Sequence, residues 1–153
     1  MVKHPFILEA GEWVGEGHIR FSMMDEKDLP FTTSWTVASP NKEGKIAAVQ
    51  NIYVSGLAET MCNRLLFYDV AAENFAIELQ NQSLGMVVGQ GIINPKLIGW
   101  EFRLEQLGFE GFEFYEAAEH DEGSYLFHAE YATSDDFRTV IHGQMRKNSP
   151  SQK

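Results

Sequence analysis

Among the groups in this chain that can move a proton, hold a metal ion or attack a carbonyl are 22 carboxylates, five histidines and one cysteine. Their spacing argues against most such chemistry. His128 and Glu130 lie two residues apart, on one face of any strand that carries them. His120, Asp121 and Glu122 run consecutively. Neither group has the spacing of a zinc site, so both are expected to be solvated surface charge, with no metal bound. Cys62 has no second cysteine to pair with, which excludes an internal disulfide and paired-cysteine metal sites. It is expected in a loop with no histidine nearby in sequence. The serines fall in turns or on outer faces, without a nucleophile elbow. Gly85, Gly89 and Gly91 are too scattered for a phosphate loop and are better placed to let a strand curve. One carboxylate is different. Glu116 shares a phase with Phe112 and Phe114; facing inward it would need a partner or a raised pKa, and a place in water at the strand end is favoured over a functional role. No catalytic residue is assigned, and binding is favoured over enzyme activity.

Charge narrows the partners. Residues 101–136 hold eleven acidic side chains and one basic one, Arg103, which accounts for the whole net charge of −10. Nucleic acid needs clustered Lys and Arg and is excluded as a partner. No apolar run reaches the roughly 20 residues of a membrane span. Met1 to Gly11 has no continuous apolar stretch of the secretory kind, and with a single cysteine a reducing, cytoplasmic setting is expected.

The elements that must position any site are strands. Alternation of period two recurs, broken at intervals of about 8–14 residues by turn residues. Ten strands are expected, near 13–23, 31–38, 45–54, 63–70, 74–80, 86–93, 97–105, 112–117, 124–132 and 137–146. Pro40 to Gly44, Ala72 to Asn74, Asn81 to Ser83, Asn94-Pro95 and His120 to Gly123 supply the turns. Single helical turns are expected at Pro5–Ala10 and Leu57–Cys62. Most strands have one apolar and one solvated face, as antiparallel strands around one core do. Closing so many strands into a barrel removes exposed edges. The expectation is therefore a single all-β domain over residues 1–147, an up-and-down antiparallel barrel, with a polar tail at 148–153.

Phase then lists an inner wall. Trp35, Trp100, Phe102, Phe114, Tyr125, Phe127 and Tyr131 fall on it, joined by Gln50, Gln90 and Thr139. Phe31, Phe75, Phe112 and Phe137 share the phase. A mostly apolar wall with a few polar groups is the composition of a small-molecule site, and ten strands leave more interior room than eight. By the same reasoning Glu101, Glu105, Glu113 and Glu130 project outward, and the acidic segment coats one exterior wall. That wall could dock a basic protein in a module without a ligand. Binding of a small apolar or aromatic molecule inside the barrel is the leading expectation.

Gly11-Glu12-Trp13-Val14-Gly15-Glu16-Gly17 at the start of the first strand resembles the G-x-W-x-G-x-G opening of the calycin superfamily, in particular its lipocalin-like and nitrobindin-like barrels. The resemblance implies that Gly11, Trp13, Gly15 and Gly17 are structural. It also implies that Trp13 plugs the closed end and that a basic residue of the last strand, Arg138 or Arg146, packs across it. Nitrobindin-like relatives imply haem bound through a histidine near the C-terminus, for which His142 is the counterpart. A haem-binding or isomerase-type barrel using His142 or Glu116 is thus the alternative function. The outward phase of His142 counts against it. Fatty-acid-binding relatives hold a carboxylate with inward arginines, whereas Arg20, Arg103, Arg138 and Arg146 phase outward here and Arg64 is undecided.

Overall fold

The computed structural model describes residues 4–22, 28–58, 60–81, 85–119, 123–133 and 138–148, Leu107 by its backbone alone. Ten strands follow one another: β1 (Gly11–Phe21), β2 (Asp28–Val37), β3 (Ile46–Val54), β4 (Met61–Tyr68), β5 (Asn74–Asn81), β6 (Gly85–Ile93), β7 (Leu97–Leu104), β8 (Phe109–Ala117), β9 (Ser124–Ala132) and β10 (Arg138–Lys147). Each pairs antiparallel with the next, and β10 returns to β1, so the sheet closes into a barrel without free edges. This is the calycin-like up-and-down topology. We call the end where β1 begins the lower end and the opposite end the upper end.

Local chemistry explains the hairpins. Between β2 and β3, Asn41 Oδ1 accepts the Glu43 and Lys45 N–H groups at 2.9 Å each, and Gly44 takes the left-handed conformation that closes the turn. Asn94 Oδ1 does the same between β6 and β7 for the Lys96 and Leu97 N–H groups, at 3.0 and 2.9 Å. The seam that closes the barrel depends on glycine for a different reason. Gly17 and Gly143 face each other across β1 and β10, and a Cβ on Gly17 would lie 2.1 Å from the His142 carbonyl oxygen. The inward row continues on both sides to Phe31 and Phe127, whose rings meet at 6.0 Å. Two aromatic rings thus fill the space that two missing side chains leave.

The lower end is plugged. The Pro5–Ala10 segment turns as expected, with the Glu9 N–H donating to the Pro5 oxygen at 3.2 Å. It inserts Phe6 and Ile7, both fully buried, among Trp13, Trp35, Tyr115 and Tyr125. Ile7 holds φ at 62°, a conformation β-branched residues avoid, so packing fixes this residue against its own preference.

Two boundaries differ from expectation in ways that matter. Met61 and Cys62 belong to β4 rather than to a helical turn, and Cys62 is exposed. β8 begins at Phe109, and its inward residues are Phe109, Gly111, Glu113 and Tyr115. Phe112, Phe114 and Glu116 therefore face outward, and Glu116 is exposed. The cause lies in the sequence Phe112-Glu113-Phe114-Tyr115, which offers aromatics in both phases. Pairing of Glu113 with Trp100 and Ala129, both inward and buried, decides between them.

Candidate functional site

The lumen has a packed lower half and a more accessible upper half. Trp13, Trp35, Trp100 and Tyr115 are at most 2% exposed and cross one another at 5.3 to 6.4 Å where they touch. Apart from Leu8 and Ala117, the half-buried apolar residues that pack on this core are Phe21, Leu29, Ile52, Leu104, Tyr131 and Ile141, all toward the upper end. Thr139 is half-buried beside Phe21 and Tyr131.

Two polar constellations face the lumen from opposite walls. On β2 to β5 a ladder runs from strand to strand. Thr33 Oγ1 donates to the Asn51 carbonyl at 2.9 Å and accepts from Gln50 Nε2 at 3.2 Å. Gln50 Oε1 accepts from Asn63 Nδ2 at 3.1 Å, and Asn63 Oδ1 accepts from Asn81 Nδ2 at 3.1 Å. On β8 and β9 stands Glu113. Tyr115 donates to its Oε1 at 2.6 Å, and Tyr131 donates a short hydrogen bond to its Oε2. Burial pushes the Glu113 carboxyl above its ordinary value, opposed by the two phenol donors. Burial, and then the neighbouring carboxylate, hold both tyrosines well above the usual phenol range. Glu113 as a whole residue is half-buried, at an inward-facing position in the middle of β8. The Nε1 atoms of Trp13, Trp35 and Trp100 are buried without a hydrogen-bond partner.

Of the residues expected on the inner wall, Trp35, Gln50, Trp100, Phe102, Tyr125 and Phe127 are buried there, and Tyr131 and Thr139 are half-buried there. Two are not. Gln90 is exposed on the outer wall, opposite Glu101 and Ala76, because β6 turns its small and aliphatic residues Val87, Gly89, Gly91 and Ile93 inward. Phe114 lies half-buried on the outer wall, its ring 5.1 Å from that of Phe112. Phe137 and the His120–Glu122 turn lie outside the described residues. Tyr125 is engaged at the lower end. His4 Nε2 donates to the Asn94 carbonyl at 2.7 Å, which leaves Nδ1 to accept the Tyr125 hydroxyl at 3.0 Å. Burial pushes the Tyr125 phenol up to about 12.

The structural positions sort similarly. Trp13 is buried at the lower end against Phe6 and Tyr125. Gly15 leaves only 3.0 Å between an added Cβ and the Gln144 carbonyl oxygen. Arg138 does not reach Trp13; it sits at the upper end of β10, 62% exposed, with Glu130 at 3.5 Å. Arg146 is exposed on the outward phase. The basic residue at the plug is Lys147, directly opposite Trp13, whose Cε would lie 3.3 Å from a Cβ on Gly11. Arg64 is exposed and outward. His142 is exposed on the outer wall, in register with His18 and His128, its ring 6.1 Å from that of His18. It therefore does not project an axial ligand into the lumen. Glu101, Glu105, Glu110, Glu116 and Glu119 are exposed, but Glu113 breaks the pattern of a purely exterior acidic coat. A groove of about 910 Å³ crosses the outer wall, edged by Glu16, His18, Tyr53, Leu126 and His142. Among the described residues, no three His, Cys, Asp or Glu side chains group to hold a metal ion, and no helix is long and apolar enough to cross a membrane.

No family model matches the chain, and no curated protein matches it significantly in sequence. The fold has a solved counterpart. The S-type phycobiliprotein lyase CPES from Guillardia theta is similar at a TM-score of 0.65 with 8% identity, over 94% of this chain and 90% of that one. At that identity the likeness concerns the barrel architecture alone.

Sequence reasoning missed Glu113, Asn63, Asn81, His4 and Phe6. For Glu113 a signal existed: Tyr115 and Tyr131 lie in the inward phases of two neighbouring strands, and buried phenols require acceptors.

Proposed function

We propose that the barrel is a binding protein for one small, mostly apolar or aromatic molecule, which enters at the upper end and rests on the aromatic layer of Trp35, Trp100 and Phe127. The observation that carries this reading is a difference between the two ends among the described residues: Phe6 and Ile7 seal the lower end, whereas Ile52, Leu104, Tyr131 and Ile141 toward the upper end are half-buried beside the buried Val54, Val87 and Phe109. Affinity would come mainly from apolar burial, at roughly 25 cal/mol per Å² before ordering costs. Gln50, Thr139 and Tyr131 would orient the molecule. The exposed Cys62 fits a reducing, cytoplasmic setting.

Titration with the neutral apolar dye Nile red tests it. Saturable binding with one site, a blue-shifted dye emission and quenching of tryptophan fluorescence are expected. Thr139→Trp, which fills the upper end, and Phe102→Arg, which charges the wall, should both abolish binding. Unchanged affinity in a folded Phe102→Arg variant places the dye outside the lumen and refutes the reading.

A further inference from the structure

Glu113 is a carboxylate placed inside an aromatic barrel, with no ion-pair partner among the described residues. Its inward neighbours across the sheet are Trp100 on β7 and Ala129 on β9, and its two hydrogen-bond partners are neutral phenols. Arg20, Arg64, Arg103, Arg138 and Arg146 are all exposed, and the ion pairs among the described residues lie on the outer wall. A buried carboxylate has about four lone-pair sites, and two donors occupy two of them. Removing such a charge from water costs several kcal/mol unless an opposite charge compensates it. The surrounding rings add a second preference. Tyr115 packs between Trp100 and Phe127 at 5.3 and 5.4 Å, and Phe109 stacks on Tyr131 at 5.7 Å. Aromatic faces attract cations, most strongly where water is excluded.

We infer that the molecule bound in the lumen carries a protonated nitrogen, an amine, amidine or protonated heterocycle on an apolar body, and that Glu113 is its counter-ion. This inference rests on the lumenal binding reading above. It also excludes a class of ligand. A fatty acid or other carboxylate would meet Glu113 with like charge, and Lys147, which shares the inward phase at the lower end, is exposed there opposite Trp13. The phenols of Tyr115 and Tyr131 position the carboxylate, and the opposite wall, through Gln50 and Asn63, is left to neutral polar contacts with the ligand body.

Three probes of one shape separate the outcomes: 1-naphthylmethylamine, 1-naphthylmethanol and 1-naphthylacetate, titrated calorimetrically at pH 7 against the full chain. The wild type is expected to bind the amine at least about tenfold tighter than the alcohol, and the acetate weakest. Glu113→Gln should bring the amine to the affinity of the alcohol and leave the alcohol unchanged. Binding of the amine should also strengthen as pH rises and Glu113 gives up its proton. Equal affinity for all three probes in the wild type overturns the inference, as does a preference for the amine that survives in Glu113→Gln; either result leaves lumenal binding intact. If none of the three binds and Nile red does not bind either, lumenal binding falls, and the inference with it. The comparison of probes in the wild type does not depend on the variant's folding.

Discussion

The ring of Phe6 stands edge-on to the indole of Trp35, with centroids 5.1 Å apart and planes at 87°. The contact ties a segment before the first strand to the centre of the lumen floor. Phe6 also meets Trp13, Tyr115 and Tyr125, so four rings from four different strands converge on one side chain. Phe6→Ala should therefore cost about 3–5 kcal/mol of unfolding free energy, the range for deleting a buried aromatic ring. Urea denaturation followed by tryptophan fluorescence measures it. A loss below about 1 kcal/mol, the scale of a surface substitution, would mean that the segment does not plug the barrel.

At the seam between β1 and β10, glycine has no substitute. An added Cβ on Gly17 would lie 2.1 Å from the His142 carbonyl oxygen, and one on Gly143 2.3 Å from that of Glu16. Both obstacles are backbone, so neither can rotate away. Gly11 differs, since its nearest obstacle is the flexible end of Lys147 at 3.3 Å. Gly17→Ala and Gly143→Ala should each destabilise by about 3 kcal/mol or more, beyond the usual overpacking range of 1–3 kcal/mol. Gly11→Ala should cost less than about 1 kcal/mol. Thermal melts of the three variants rank them, and an equal effect at all three positions would show that the seam is not set by close approach.

Why the strands were legible and the site only half so follows from these residues. Where one phase is apolar and the other polar, as in Trp13, Ile19 and Phe21 against Glu12, His18 and Arg20, alternation fixes the face without tertiary information. β8 fails that test because Phe112 and Phe114 compete with Phe109 and Tyr115. The outcome depends on the register of pairing with β7 and β9, which the alternation of β8 does not itself encode. Gln90 misled for a related reason: the glycines of β6 carry no hydropathy signal, yet they are the residues that face inward. The plug by His4 and Phe6 left no periodic trace, since a single turn has none.

The ladder on β2 to β5 should behave as one unit. Gln50 joins Thr33 to Asn63, and both bonds run through its single amide. Gln50→Leu removes both and should cost about 1–3 kcal/mol, the penalty for stranding buried polar partners. Asn63→Ala in the same background should then cost less than it does in the wild type, with a coupling energy of about 0.5–3 kcal/mol in the double-mutant cycle. Additive effects would show that the two side chains do not share a network.

Glu113 gives the fold a pH dependence of unusual sign. Most carboxylates in folded proteins are held below their unfolded value and stabilise the native state as pH rises. Burial holds Glu113 above the ordinary 4.5. Between 4.5 and that raised value the native state keeps a proton the unfolded chain has lost, so this group's contribution to stability falls as pH rises. Below 4.5 both states are protonated and the contribution is constant. Glu113→Gln cannot titrate. The difference in unfolding free energy, variant minus wild type, should therefore increase as pH rises from 4.5 and level off once native Glu113 has ionised. Urea denaturation of both proteins at intervals from pH 4 to pH 8 reads this difference, in which the other acidic residues cancel. A difference that stays flat, or that declines as pH rises, would place Glu113 in contact with water or with a cation of the protein itself.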